Sequence, residues 1–119
     1  MRIVLFTVLA LTWVPGIGAD SDIETETEID FLLTTVGDSG CSFLRNGETH
    51  SSRDAEAHLR MKYRRGKRYA STTELFIERL ASKSSMSKKP YFIECPGDEA
   101  VPTGDWLAAQ LSDFRNGAP

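Results

Sequence analysis

Cys41-Ser-Phe-Leu-Arg-Asn-Gly-Glu-Thr-His50 reads as a tight β-hairpin closed by Asn46-Gly47. A two-residue Asn-Gly loop suits a type I′ turn, because both central residues must take positive φ. That loop length sets the register, with Arg45 opposite Glu48, Leu44 opposite Thr49 and Phe43 opposite His50. Side chains alternate along a strand, so Cys41, Phe43 and Arg45 share one face. That face is expected to meet the core at Phe43 and a second strand at Cys41.

Outward from the hairpin, helical spacing dominates. Upstream, Ile29, Leu32, Leu33 and Val36 recur at i, i+3, i+4 and i+7, one apolar stripe of a helix. The polar run Asp20 to Glu28 before it is expected to be frayed at its start, and its carboxylates suit the positive end of a helix dipole. Gly37 is the expected stop, and Asp38-Ser39-Gly40 turns into the hairpin. Downstream, Ser51 is placed to cap a second helix, with Asp54 as a variant capping box. Ala55, Leu59 and Tyr63 form its apolar line, flanked by His58 and Met61. Arg64 and Arg65 followed by Gly66 read as its end.

A third helix is expected from Ser71, with Glu74 completing a capping box and Ala70 with Leu75 as a staple. Phe76, Ile77, Leu80 and Ala81 form its buried face. Ser82 to Lys89 reads as a polar loop, and Pro90 opens a strand, Tyr91 to Cys95. Tyr91, Ile93 and Cys95 fall on one strand face, Phe92 and Glu94 on the other. Pro96-Gly97-Asp98-Glu99 is a turn. Thr103 is the expected cap of a last helix carrying Trp106, Leu107, Gln110, Leu111 and Phe114, with Gly117 after it. The fold class is therefore α+β: an antiparallel sheet of about three strands packed by four helices.

The chain has 119 residues, suited to one domain. Residues 1–19 read as a secretory signal peptide: Arg2, an apolar run from Ile3 to Trp13, then Pro15-Gly-Ile-Gly-Ala19. The run is short for a membrane span, which needs about 20 residues. A cut after Ala19 leaves residues 20–119 as a single domain, periplasmic or secreted, with no stable membrane insertion. Net charge is −3, or −4 once Arg2 is removed, which argues against nucleic-acid binding.

An exported chain with two cysteines, Cys41 and Cys95, points to one disulfide. The loop it closes spans about 54 residues, worth on the order of 4 kcal/mol by chain entropy. Cys-x-x-Cys spacing is absent, which disfavours a redox pair. His50, His58 and Asp54 are too scattered for zinc-site spacing, so neither metal nor cofactor is expected. Ser85-Met86-Ser87-Lys88 matches the Ser-x-x-Lys of penicillin-interacting serine enzymes, but their further motifs and larger domain are missing. The same loop offers amides and hydroxyls to an anion. Arg53, Arg60 and Arg64 fall on one side of the second helix, either as a solvated face offsetting the acidic first helix or as a dock for an anionic envelope partner.

Gly40-Cys-Ser-Phe-Leu-Arg-Asn-Gly47, Ala57-His-Leu-Arg-Met-Lys-Tyr63, Thr73-Glu-Leu-Phe-Ile77 and Ala81 to Tyr91 together resemble the YfeK-like proteins, small exported bacterial proteins forming a domain of unknown function. The resemblance runs from about Ile29 to Leu111. It implies export and a shared fold and supplies no activity. Such proteins often carry glycine where this chain has Lys88, and tyrosine where it has His50. Packing accounts poorly for Arg45 and His58 among the shared positions.

These residues best suit an envelope module that binds an unidentified envelope protein or anionic ligand and catalyses nothing. Its candidate contacts are Arg45, His58, Arg60, Ser85, Ser87 and Lys88. The alternative is a small hydrolase or transferase pairing His58 or His50 with a serine. A third class, an inhibitor or stabiliser of another exported protein, calls for an exposed apolar patch around Trp106 and Phe92.

Overall fold

A computed structural model describes residues 17–117. The leader-like run Ile3 to Trp13 lies outside them, and the expected cut after Ala19 falls in the first turn of the first helix. The chain folds as α1 (Ile17–Asp38), β1 (Ser42–Arg45), β2 (Glu48–His50), α2 (Ser52–Gly66), α3 (Thr73–Phe76), β3 (Phe92–Glu94), β4 (Val101–Pro102) and α4 (Thr103–Arg115). A 3-10 turn, Lys67–Tyr69, extends α2, and a π-helical turn, Ile77–Ala81, continues α3.

The hairpin pairs Phe43 with His50, Leu44 with Thr49 and Arg45 with Glu48, the register the turn demands. Asn46 at φ 51° and Gly47 at φ 79° hold the positive angles of a type I′ turn. β1 also pairs antiparallel with β3, placing Phe43 opposite Ile93. The sheet order is β2-β1-β3-β4. It has four strands rather than three, because Val101–Pro102 adds a two-residue edge strand that offers no pattern to read.

Phe43, Tyr91 and Ile93 face the helices and are buried, while Phe92 and Glu94 face outward. The core joins that sheet face to Ile29, Leu32, Leu33 and Val36 of α1, Leu59 of α2, Phe76 of α3 and Leu107 and Leu111 of α4. The sulfurs of Cys41 and Cys95 stand at bonding distance, with Cα atoms 4.1 Å apart beside the β1–β3 pair.

Several local expectations yield to packing. The polar start of α1 is helical, not frayed, because tertiary partners hold it. Glu28 is buried, accepts from Thr73 Oγ1 at 2.7 Å, and is clamped by Arg115 Nε and Nη2 at 2.7 and 2.9 Å. Glu26 pairs with Lys67 of the 3-10 turn. Gly37 lies inside α1, where a Cβ would strike the Glu56 carboxylate; Gly40, at φ 68°, makes the turn instead. Gly66 ends α2 as its position after Arg64 and Arg65 suggests, and a Cβ there would come within 2.8 Å of Leu80 Cδ2. Ser51 does cap α2, accepting from Asp54 N at 3.1 Å. The cap of α3 is Thr72, one residue past Ser71, accepting from Leu75 N at 3.1 Å. Thr103 is the first residue of α4 rather than its cap: it is fully buried and its amide donates to Tyr91 O at 2.9 Å.

Candidate functional site

The second helix carries two charged faces with different fates. On the face toward α1, Arg53 meets Asp38 at 3.0 Å, and Arg60 meets Asp30 and Glu56, both at 2.9 Å. Arg60 also donates to Thr34 Oγ1 at 3.2 Å. These pairs offset the acidic first helix, so Arg60 is occupied and lies away from the other candidates.

The opposite face carries His58, Lys62, Arg65 and, past the helix end, Tyr69, at i, i+4, i+7 and i+11. With β1, the start of β3 and the Ser84–Met86 turn it lines an open cleft of about 640 Å³. Arg45 enters from the end of β1, beside the Asn46-Gly47 turn. Ser84 and Ser85 enter from the loop between the π-helical turn and β3. That loop is itself a closed turn. Lys83 bridges to Pro90, Ser84 N donates to Lys89 O at 2.9 Å, and Lys88 N donates to Ser84 O at 3.0 Å. Closing it puts Lys88 at φ 63°, a left-handed conformation that favours glycine. Ser87 Oγ lies 2.8 Å from Asn46 Oδ1 and so ties the loop to the hairpin tip.

A chain of hydrogen bonds forms the floor of the cleft. Arg45 Nη1 lies 2.5 Å from His58 Nδ1. Arginine has no acceptor, so Nδ1 must accept and the neutral ring carries its proton on Nε2. Nε2 lies 3.3 Å from the Tyr91 hydroxyl and donates to it. Lys62 Nζ donates to the same hydroxyl at 3.1 Å and to Lys83 O at 2.8 Å. The Tyr91 oxygen thus accepts twice, which leaves its own hydrogen to be donated elsewhere. Arg45 keeps N–H groups beyond the one given to His58, and Lys62 keeps a third.

The electrostatics agree with that assignment. Burial, then the charges of Arg45, Lys62 and His50, push the His58 pKa down to about 4, so the ring is neutral at pH 7. Burial, then Arg45 and Lys88, push Lys62 down to about 8, which leaves it mainly cationic at pH 7. Burial raises the Tyr91 hydroxyl, which stays protonated. Among the described residues no carboxylate stands within ion-pair distance of Arg45 or Lys62. Glu48 lines the rim but is largely exposed, and its carboxylate lies 3.7 Å from His50 Nε2.

The family of unknown function DUF5329 matches residues 23–115. This chain belongs to that family. A relative is the uncharacterized protein YfeK of Salmonella typhimurium strain LT2, 32% identical over 92 residues, covering 76% of this chain and 77% of the relative. No solved structure matches the chain. The DUF5329 match takes in every residue of the cleft, from Arg45 to Tyr91.

The fold thus brings together Arg45, His58 and Ser85, sets Ser87 and Lys88 on the adjoining turn, and leaves Arg60 apart. Ser84, at the start of the loop read as a contact, also lines the cleft, and Lys62, Tyr91 and Arg65 join it without having been chosen as contacts from the sequence. A signal existed for part of this set: His58, Lys62 and Arg65 repeat at helical spacing on the face opposite Arg53 and Arg60. Tyr91 looked like core alone, because alternation along β3 shows which way a ring points and not what its hydroxyl reaches.

Among the described residues, no three His, Cys, Asp or Glu side chains gather as a metal site requires, and no helix is long and apolar enough to cross a membrane. Trp106 packs against the core, while Phe92 stands partly exposed on the outer sheet face.

Proposed function

We propose that this is an exported envelope protein that binds an anionic ligand in the cleft between the hairpin, α2 and the Ser84–Met86 turn, without catalysing a reaction. One observation carries the proposal: Arg45, Lys62 and the Tyr91 hydroxyl converge on one hydrogen-bond chain in which every group with capacity left is a donor. A pocket that presents donors and three cations, Arg45, Lys62 and Arg65, with no carboxylate paired to them among the described residues, favours an anion, and partial burial strengthens that attraction over its value in water. Ser84 and Ser85 add hydroxyls at the edge. The leader-like start and the bonded cysteine pair favour an oxidising compartment outside the cytoplasm.

A His/Ser hydrolase fits less well. Both ring nitrogens of His58 are engaged, by Arg45 and Tyr91, and neither partner is a serine. His50 Nε2 is buried without a hydrogen-bond partner among the described residues.

Calorimetric and thermal-shift titration of residues 20–119 with inorganic phosphate, short carboxylates and phosphorylated sugars tests the proposal. Saturable stabilisation is expected, about 2.7 kcal/mol at a hundredfold excess over Kd. Arg45→Ala and Lys62→Met should abolish it, and Arg60→Ala should leave it intact. Equal binding by all three variants, or saturable binding of no anion, would overturn the assignment.

A further inference from the structure

We infer that the anion held in the cleft carries an apolar tail: the ligand is a single-chain anionic amphiphile with a carboxylate or phosphate head. This rests on the anion-binding proposal and deepens it. The cleft sets cations beside apolar wall. Arg45, His58, Lys62 and the Tyr91 hydroxyl meet on its floor, and Arg65 stands further along α2. Met61, Gly66, Tyr69 and Leu80 line the cleft along and past the end of α2, and Met86 lines it from the Ser84–Met86 turn. Along α2, Lys62 and Gly66 are four residues apart, so this wall runs about 6 Å beyond Lys62.

Gly66 shapes that wall. It is buried with nothing but backbone facing the cleft, and Leu80 occupies the space a side chain would need. The result is an apolar stretch of wall between Lys62 and Tyr69, with Arg65 beside it. Two lining side chains are poorly explained as packing alone. Tyr69 is 50% exposed, with Arg68 over its ring at 4.8 Å, and Met86 is 95% exposed, both large side chains at the same cleft. An unbranched, polarizable methionine at the lip adapts to a flexible chain. A simple inorganic anion would use the cations and leave this surface wet. A neutral lipid would leave Arg45 and Lys62 without a counter-charge. A chain with one anionic end satisfies both.

Titration of residues 20–119 with acetate, hexanoate and octanoate, with inorganic phosphate, hexyl phosphate and octyl phosphate, and with 1-octanol separates the alternatives, all below micelle formation. Full burial of a methylene gives roughly fourfold in affinity; this cleft is open along one side, so about twofold per methylene is expected, and octyl ligands should bind on the order of a hundredfold tighter than their head groups alone. Whichever of octanoate or octyl phosphate binds tighter assigns the source, a fatty acid or a monoalkyl phosphate. Met61→Gln combined with Tyr69→Ser should flatten the chain-length dependence while leaving acetate and phosphate binding unchanged. Head groups that bind as tightly as their octyl forms would overturn the amphiphile and leave the anion site standing. A chain-length dependence that survives the double substitution would also overturn it. Binding of 1-octanol as tight as octanoate, unaffected by Arg45→Ala, would overturn the anion site itself.

Discussion

Protonation of His58 should make this protein sensitive to mild acid, in a pH window that no other perturbed group shares. The ring is wedged between Arg45 and Lys62, and its pKa falls from 6.5 to about 4 on folding. Above pH 6.5 the ring is neutral both folded and unfolded, so it contributes nothing to pH dependence. As pH falls from 6.5 toward 4, the unfolded chain takes up a proton that the folded chain refuses, and stability drops. With those two pKa values, the loss between pH 7 and pH 4.5 has a ceiling of about 2.4 kcal/mol. The ring is only half-buried, and solvent screening brings the expected loss to about 1–2 kcal/mol.

The acidic groups act lower on the scale. Hydrogen bonding to Arg115 lowers both Glu28 and Glu74 from 4.5, so their contribution is present above pH 4.5 and is lost only below it. Lys62 acts higher, between about 8 and 10.5. Urea unfolding of the wild type and His58→Gln at pH 7.0, 6.0, 5.0 and 4.5 isolates the effect. The wild-type midpoint should fall by roughly 0.5–1 M across the series, taking a urea m-value near 2 kcal/mol/M, and the variant midpoint should hardly move. Parallel curves for the two proteins would refute the wedge of charges around His58. A saturating anion in the cleft should raise the ring's pKa and shrink the wild-type loss, which ties the titration to the ligand site.

Two further outcomes test the frame around the cleft. Glu28→Ala removes the buried carboxylate that joins α1 to Thr73 and Arg115, and should cost about 2–3 kcal/mol by chemical denaturation, since Arg115 is half-exposed and recovers water; a cost under about 0.5 kcal/mol would show that the clamp does not hold the polar half of α1. Lys88→Gly relieves a left-handed residue at φ 63° and should raise stability by about 1 kcal/mol, with a thermal midpoint several degrees higher; a loss instead would mean that the Lys88 side chain contributes more than its backbone costs.

The elements were legible where short-range rules act alone. Asn46-Gly47 dictated the hairpin register, because a two-residue turn leaves no freedom in pairing. The stripe from Ile29 to Val36 and the line Ala55, Leu59 and Tyr63 named the buried helix faces, because burial follows the helical period. Local rules misled where a residue answers to a distant neighbour. Gly37 looks like a helix stop in sequence, yet it lies inside α1 and admits the Glu56 side chain from α2. Thr103 looks like a cap, yet it is buried and bonded through its amide to Tyr91.

The same division runs through the site. Arg45 and His58 stood out because packing explained them poorly, and they do meet. Arg60 stood out by charge, and its charge is spent on Asp30 and Glu56. The sequence by itself determined the α+β class, the hairpin and the helix faces, since turn geometry and periodicity act over a few residues. Only tertiary structure decided which cations stay unpaired and what Tyr91 touches. Lys62 and Tyr91 are 29 residues apart, and His58 and Tyr91 are 33 apart. They meet because β3 docks on β1 and sets the Tyr91 ring beneath α2. No local rule carries that distance, so the donor-lined cleft exists only once the sheet and helix have packed.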